Sequence, residues 1–309
     1  MRSKGLLVIL VMCSWVLSAC QSVQIPPAAT VALSTNTPFP TNTSEPTFTP
    51  ELTSTSELTS TPEPSPVPIP TLLSKKDGMT LMYVTEGEFT MGSNTTFNDS
   101  GFSDDVAHIV YLDAYWMDQT EVTNEMYAKC VGAGECSAPS DTSSFSNLSY
   151  AKHPVVYVDW NQANAYCSWA ERRLPTEAEW EKAARGTDER TYPWGEGIDC
   201  TFANYFGKDN GNSDCVGGTT PVGSYEKGKS PYGVYDMAGN AWEWVSSLWG
   251  PYPYNANDGR ENLSTFGSRV LRGGAWIHHN SGVRSAGRGG GSPTNSSSHT
   301  GFRCARSLP

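Results

Sequence analysis

Glu243 stands between Trp242 and Trp244 in DMAGNAWEWVSSLWG, the stretch from Asp236 to Gly250. Indole rings at that density mark a packed interior or a stacking surface. A carboxylate there is costly unless a cation meets it, whether a metal ion or an arginine. Further along, His278 and His279 adjoin in RGGAWIHHNSGVR. A neutral imidazole is a common metal ligand. Neighbours in a strand point to opposite faces, so the two would rarely reach one ion, and the plainer reading is an incidental surface pair. The remaining reactive residues are the cysteines beyond residue 20: Cys130, Cys136, Cys167, Cys200, Cys215 and Cys304. No C-x-x-C pair occurs among them, which gives a zinc ribbon or a thioredoxin-like site little support.

These residues belong to a chain of 309 with 21 Lys+Arg against 32 Asp+Glu, a formal charge of -11. A nucleic-acid binder would show the opposite balance on at least one face, and no basic run occurs beyond the first few residues. Ten Trp, fourteen Tyr and 29 Gly indicate a loop-rich fold held by aromatic packing rather than a helical bundle.

The N-terminus has the form of a targeting segment. Arg2 and Lys4 precede an apolar run from Gly5 to Leu17, too short to span a bilayer comfortably, and LSAC closes it at Cys20. This pattern resembles the bacterial lipoprotein signal, in which residues 1–19 are removed and lipid is attached to Cys20. An ordinary secretory signal cut after Ala19 is the alternative. Either way the chain is exported, and an even number of remaining cysteines then points to disulfides. Residues 20–76 read as a disordered tether, rich in Thr, Pro and Ser, with ELTST nearly repeated. About 55 such residues would average roughly 40 Å end to end.

From about Asp77 to Pro309 the composition is globular. MTLMYVTEGEFTMGS predicts two short strands, and AHIVYLDAYWMDQTEVT another. TNEMYAKCV predicts a short helix started by Thr123 and ended near Gly132. Asp159 with Gln162, and Thr176 with Glu179, each form a capping box ahead of a helix, the second stopped by Gly186. SRVLRGGAW and TGFRCARS are the clearest strands of the Gly- and Asn-rich remainder.

Seven motifs then appear in order: FTMGS (89–93), EVTNEMYAKCV (121–131), RLPTEAEWEKAAR (173–185), YPWG (192–195), GNAWEW (239–244), RGGAW (272–276) and GFRCA (301–305). Together they resemble the formylglycine-generating enzyme, or sulfatase-modifying factor, domain family, over nearly all of residues 77–309. The resemblance implies a single loop-rich α+β domain, a variant of the C-type lectin-like fold with little regular secondary structure. It also implies two calcium sites. The first would take the Asp236 and Glu243 carboxylates and the Gly239 and Ala241 carbonyls. The second would take the Asn204 and Asp214 side chains and the Tyr205 and Val216 carbonyls. Calcium accepts such mixed oxygen sets. Glu243 paired with a nearby arginine is the alternative for the first, and a plain turn-rich loop for the second. The same resemblance pairs Cys167 with Cys304. Cys130 and Cys136 flank a short glycine turn and should pair locally, which leaves Cys200 for Cys215.

The family's oxidases hold copper(I) on two cysteines after the RGG strand. Those positions fall here on His278 and Val283. Valine cannot ligate a metal, so copper is not expected. The expectation is a monomeric, envelope-tethered, calcium-stabilised domain without the oxidase chemistry. It would bind a protein or glycan through the polar loop carrying His278, His279, Asn280, Arg284 and Arg288. The alternatives are a formylglycine-generating or other metal-dependent oxidase, and a structural lipoprotein of the cell envelope. The expected partners also include a membrane, reached through lipid on Cys20, but no nucleic acid.

Overall fold

A computed structural model describes residues 68–94, 106–207 and 213–309. The signal segment, Cys20 and nearly all of the expected tether lie outside the described residues. The last stretch assigned to the tether does not belong to one. Thr71–Leu73 forms β1 and pairs antiparallel with β2, Thr80–Val84, so the domain begins at or before residue 71 rather than at 77. Leu72 and Leu73 were too short a run to register as a strand without their partner.

Four strands make the first sheet, in the order β1-β2-β5-β12, with β5 at Tyr115–Asp118 and β12 at Ala305–Ser307. The second has the order β10-β9-β8-β11. Its members are β8 (Trp242–Leu248), β9 (Arg269–Arg272), β10 (Arg288–Gly291) and β11 (Thr300–Phe302). Two small hairpins complete the strands: β3 (Gly87–Met91) with β4 (His108–Leu112), and β6 (Phe206–Gly207) with β7 (Ser213–Asp214). The expected strand in AHIVYLDAYWMD is thus two strands, β4 and β5, because Asp113–Ala114 turns the chain from one sheet to another.

Helices form where local capping dictates. Thr123 accepts from the Met126 amide and starts α1, Asn124–Gly132. Asp159 and Thr176 make complete capping boxes for α2, Trp160–Trp169, and α3, Glu177–Arg185. Each box satisfies donors that the first turn leaves orphaned.

The core gathers around these two helices. Tyr127, Tyr166, Trp244 and Phe302 pack in one cluster, and Trp180, Met117, Met237, Val245 and Val270 in another. Disulfides join Cys130 to Cys136, Cys167 to Cys304 and Cys200 to Cys215, the three pairs expected. The pairing of Cys167 with Cys304 fastens α2 to the turn between β11 and β12 across a separation of 137 residues. Chain-entropy scaling makes it the most stabilising of the three, about 4–5 kcal/mol against about 2 for the six-residue loop of Cys130–Cys136. Replacing each pair by serine or alanine and measuring urea midpoints should reproduce that order. A larger loss from the Cys130–Cys136 pair would contradict it.

Candidate functional site

The loop that enters β8 bends sharply. Asp236 and Asn240 adopt left-handed φ of 56° and 60°, and Gly239 lies between them at 79°. Asp and Asn tolerate that region better than other residues with a Cβ. Gly239 has a second reason, since a Cβ there would fall 2.2 Å from the Asn204 carbonyl oxygen. The close approach lets the Asn240 amide donate to that carbonyl at 2.8 Å. Chain 204 and chain 239–240 are thereby locked side by side, and with them the two expected calcium ligand sets.

Glu243 follows on β8 and is completely buried. Its partner is Arg303: Nε donates to one carboxylate oxygen and Nη2 to the other, both at 2.6 Å. The Trp180 indole N–H adds a third donor at 2.7 Å. The charge of Glu243 is therefore met by a guanidinium fork, the arginine alternative, and its burial requires no ion. GFRCA supplied the arginine, but its distance of 60 residues in sequence concealed the pairing.

Two further carboxylates nearby lack such a fork. Glu121, from EVTNEMYAKCV, takes the Asn240 side-chain amide on Oε1 at 2.9 Å. Its Oε2 is buried and receives no N–H or hydroxyl donor among the described residues, while the Glu121 side chain is hydrogen-bonded to that of Asp236. Asp236 accepts the Gly223 amide at 2.6 Å. Burial and the Asp236 charge push Glu121 well above the usual carboxylate range. Burial also raises Asp236, against the Gly223 amide and Arg303. Three buried carboxyl groups thus face one guanidinium, and the Glu121 and Asp236 side chains are hydrogen-bonded to each other. That donor set fits a hard cation. Sequence reasoning missed Glu121, although it lies within a quoted motif, because only the fold brings it to residue 236.

The second ligand set also meets the test. Asn204 donates its amide to the Gly218 carbonyl at 2.7 Å, while its Oδ1 is buried without a partner among the described residues. The Tyr205 carbonyl accepts the Cys215 amide at 3.0 Å and keeps a second lone pair. Asp214 is half-buried beside Gly217, and Val216 is 58% exposed. A buried acceptor without a donor is the deficit that a cation satisfies.

The expected polar loop divides in two. Residues 275–279 form a turn, not a strand, so His278 and His279 are not forced apart by strand alternation. His278 is half-buried, with the Trp242 indole N–H 3.4 Å from its Nε2 and the His299 ring 5.9 Å away. His279 packs edge-on against Phe206. Val283, where the resemblance placed the second copper ligand, is fully buried with Tyr192, Tyr205 and Ala238. Arg284 and Arg288, expected on the loop surface, are 3% and 1% exposed. Arg288 is bonded to Glu177 at 2.6 Å and stacks on Trp249 and Tyr252. Arg288 belongs to the core because buried Glu177 requires a cation, and Arg284 is buried with its Nε on the Ser281 carbonyl. What faces solvent is His279, Asn280 and parts of 290–299.

Fold and site together define a loop-rich α+β domain of the formylglycine-generating type, a C-type lectin-like variant. The model of the sulfatase-modifying factor enzyme 1-like domain matches residues 71–308, and the chain belongs to that family. It is 35% identical over 253 residues to the serine/threonine-protein kinase pkn1 of Chlamydia caviae, covering 74% of this chain and 38% of that protein. It is 39% identical to the formylglycine-generating enzyme of Thermomonospora curvata, over 50% of this chain and 55% of that one. A protein of Mus musculus named inactive C-alpha-formylglycine-generating enzyme 2 is 40% identical, over 50% of this chain and 49% of its own. The chain therefore spans between 38% and 55% of these relatives. Among solved structures, PvdO from Pseudomonas aeruginosa superposes with a TM-score of 0.63 and 26% identity, over 79% of this chain and all of that one.

Two predictions follow from the geometry. Arg303→Met leaves Glu243 buried without its cation, and stability should fall by about 3–5 kcal/mol in urea unfolding. Adding Glu243→Gln should recover part of it; a loss below about 1 kcal/mol would contradict the account. The second concerns pH. Burial, and then the neighbouring His299, depress His278 from 6.5 to about 4. Between those values the unfolded chain binds more protons, so this residue costs stability as pH falls through the window. The cost is at most about 1.4 kcal/mol per pH unit. Since Glu121 and Asp236 act in the opposite sense, the measure is the difference between the native and His278→Asn profiles. A flat difference from pH 6.5 to 4 would refute it.

Proposed function

We propose that this chain is a calcium-stabilised, ligand-binding member of its family that lacks the oxidase chemistry. The observation that carries the reading is Val283, which fills the second copper position with a buried aliphatic side chain. Copper(I) oxidation of a cysteine needs two soft sulfurs on one metal, and this position offers none. The name of the mouse relative, an inactive enzyme of the same family, supports the same reading. The kinase activity in the name of pkn1 is said of that protein alone.

Calcium would be held at the first site by Glu121 and Asp236 with the Gly239 and Ala241 carbonyls. The second would use Asn204, Asp214 and the Tyr205 and Val216 carbonyls. When bound, the ions supply charge that buried oxygens lack and brace the loops beside the rim. The ligand, a protein or a glycan, would meet His279, Asn280 and the polar segment 290–299. Export, lipid on Cys20 and a tether to the bacterial envelope complete the proposal, with the domain acting as a monomer.

A second reading rests on the imidazoles. His278 and His299 are both held below the usual histidine range by burial, and neutral imidazoles bind metals. A histidine-based oxidase would use them.

Metal analysis and activity separate the readings. The globular domain should contain calcium but no copper. Chelation should lower its melting temperature, since an ion at a hundredfold excess over Kd stabilises by about 2.7 kcal/mol. Asp236→Asn should weaken that response. Given a cysteine-containing sulfatase peptide, with or without copper(I), the domain should yield no formylglycine by mass spectrometry. Turnover of that peptide would move the function to the oxidase reading, and an unchanged melting temperature on chelation would remove the calcium sites.

A further inference from the structure

The stretch TLLSKK, from Thr71 to Lys76, sets two cations just after β1, the outer strand of the first sheet. The Pro70 carbonyl accepts the Tyr83 amide at 3.2 Å, and the Ser74 amide donates to the Met79 carbonyl at 2.8 Å. With Leu72 opposite Leu81, residues 70, 72 and 74 are the ones hydrogen-bonded toward β2. The alternate residues, Thr71 and Leu73, therefore turn their N–H and C=O groups away from β2. Both are exposed, Leu73 by 65%, and none of these four groups meets a hydrogen-bond partner among the described residues.

A cleft of about 280 Å³ adjoins β1 and the turn that follows α2. Buried Leu81 and Ala170 give it an apolar floor, and Lys75, Lys76 and Arg306 line it with exposed cations. Lys75 and Arg306 make no side-chain hydrogen bond or ion pair among the described residues. Lys76 lies 3.9 Å from Glu171, the one lining carboxylate, and those side chains are 45% and 71% exposed. A pair so exposed contributes little. Arg172, buried in the wall, is committed to Asp77 and Asp118. In a chain of charge -11 this is a local reversal of sign.

We propose that β1 takes up an extended, acidic segment of a partner protein as a fifth strand of its sheet. The added backbone would bond to Thr71 and Leu73, and its carboxylates would meet Lys75 and Arg306.

The four vacant backbone groups decide among the possible occupants. A lipid tail would cover the apolar floor but leave those groups in hydrocarbon without partners, which is costly. A second copy would bring its own Lys75 and Arg306 against these. Lysine beside an edge strand blunts pairing of like edges for that reason. An acidic strand meets neither penalty. It supplies donors and acceptors along the edge, and its carboxylates form charge-assisted bonds with the cations. His279 and Asn280 do not line this cleft, so the inference stands apart from the ligand proposed for the rim and from calcium.

The chain from residue 21 onward, which carries no lipid, is titrated with a fluorescent peptide of alternating valine and glutamate, blocked at both ends. Saturable binding is expected, at least tenfold weaker in the double variant Lys75→Glu with Arg306→Glu. Lys152→Glu changes an exposed lysine outside the cleft and should leave affinity unchanged. The matching valine–lysine peptide should not bind. N-methylation of every peptide amide keeps the carboxylates, removes the donors and should abolish binding. Absence of saturable binding, equal binding of the lysine peptide, or binding that survives N-methylation would overturn the proposal. Attachment to phosphatidylglycerol vesicles in place of the peptide, lost in the double variant, would assign the cleft to a membrane and overturn it too. Self-association lost in that variant would assign it to a second copy, with the same consequence.

Discussion

The guanidinium of Arg303 holds this domain together at its middle. It lies on the link between β11 and β12, where the two four-stranded sheets meet in sequence. Through Glu243 it reaches β8 and, by the Trp180 indole that donates to the same carboxylate, α3; it also donates to the carbonyls of Asp118 and Tyr235. Each bond spans elements far apart in sequence. Hydrophobic contact alone would tolerate sliding of these elements. A buried fork paired with a buried carboxylate does not, because any shift leaves a charge unmet in a low dielectric.

The arrangement recurs. Arg172 joins Asp77 to Asp118, while Tyr166 and the Cys304 amide complete those two carboxylates. Arg272 and Arg288 meet Glu181 and Glu177 beneath Trp180 and Trp249. A domain with three α-helices and short strands among its described residues cannot rely on long ladders to fix its loops. It uses ion pairs, disulfides and stacked indoles instead. The same economy explains why Gly289, Gly290 and Gly291 follow one another in β10. A Cβ on any of them would press within about 3 Å of Trp242, Trp249 or Trp244. Residues 289–291 run close between these rings because they carry no side chains.

What the sequence disclosed follows from range. Capping boxes are local, so α2 and α3 were legible to the residue at their starts. Disulfides were legible because export demands pairing and the family motifs place Cys167 and Cys304. The partners of Glu243 and Glu121 were not legible, since Arg303 and Asp236 lie far along the chain. Composition misled at Arg284 and Arg288. Short polar residues around them read as a surface loop, whereas residues 281–288 are all buried. Serine and glycine are small enough to enter a core, and a buried glutamate draws an arginine after it. β8 was concealed for a related reason. Its glutamate and serines broke the apolar run, though both of its faces are covered.

Val283 shows how such a scaffold changes use. Its side chain fits among Tyr192, Tyr205 and Ala238, so this position now adds to packing. The neighbouring backbone is held independently, by the Arg272 fork on the carbonyls of Ser285, Ala286 and Gly287. A change of residue at 283 therefore need not unfold the loop. Chemistry and stability rest on different residues here, and one can be exchanged while the other persists. That separation would let a single frame serve relatives named as formylglycine-generating enzymes and, as proposed for this chain, a binding surface.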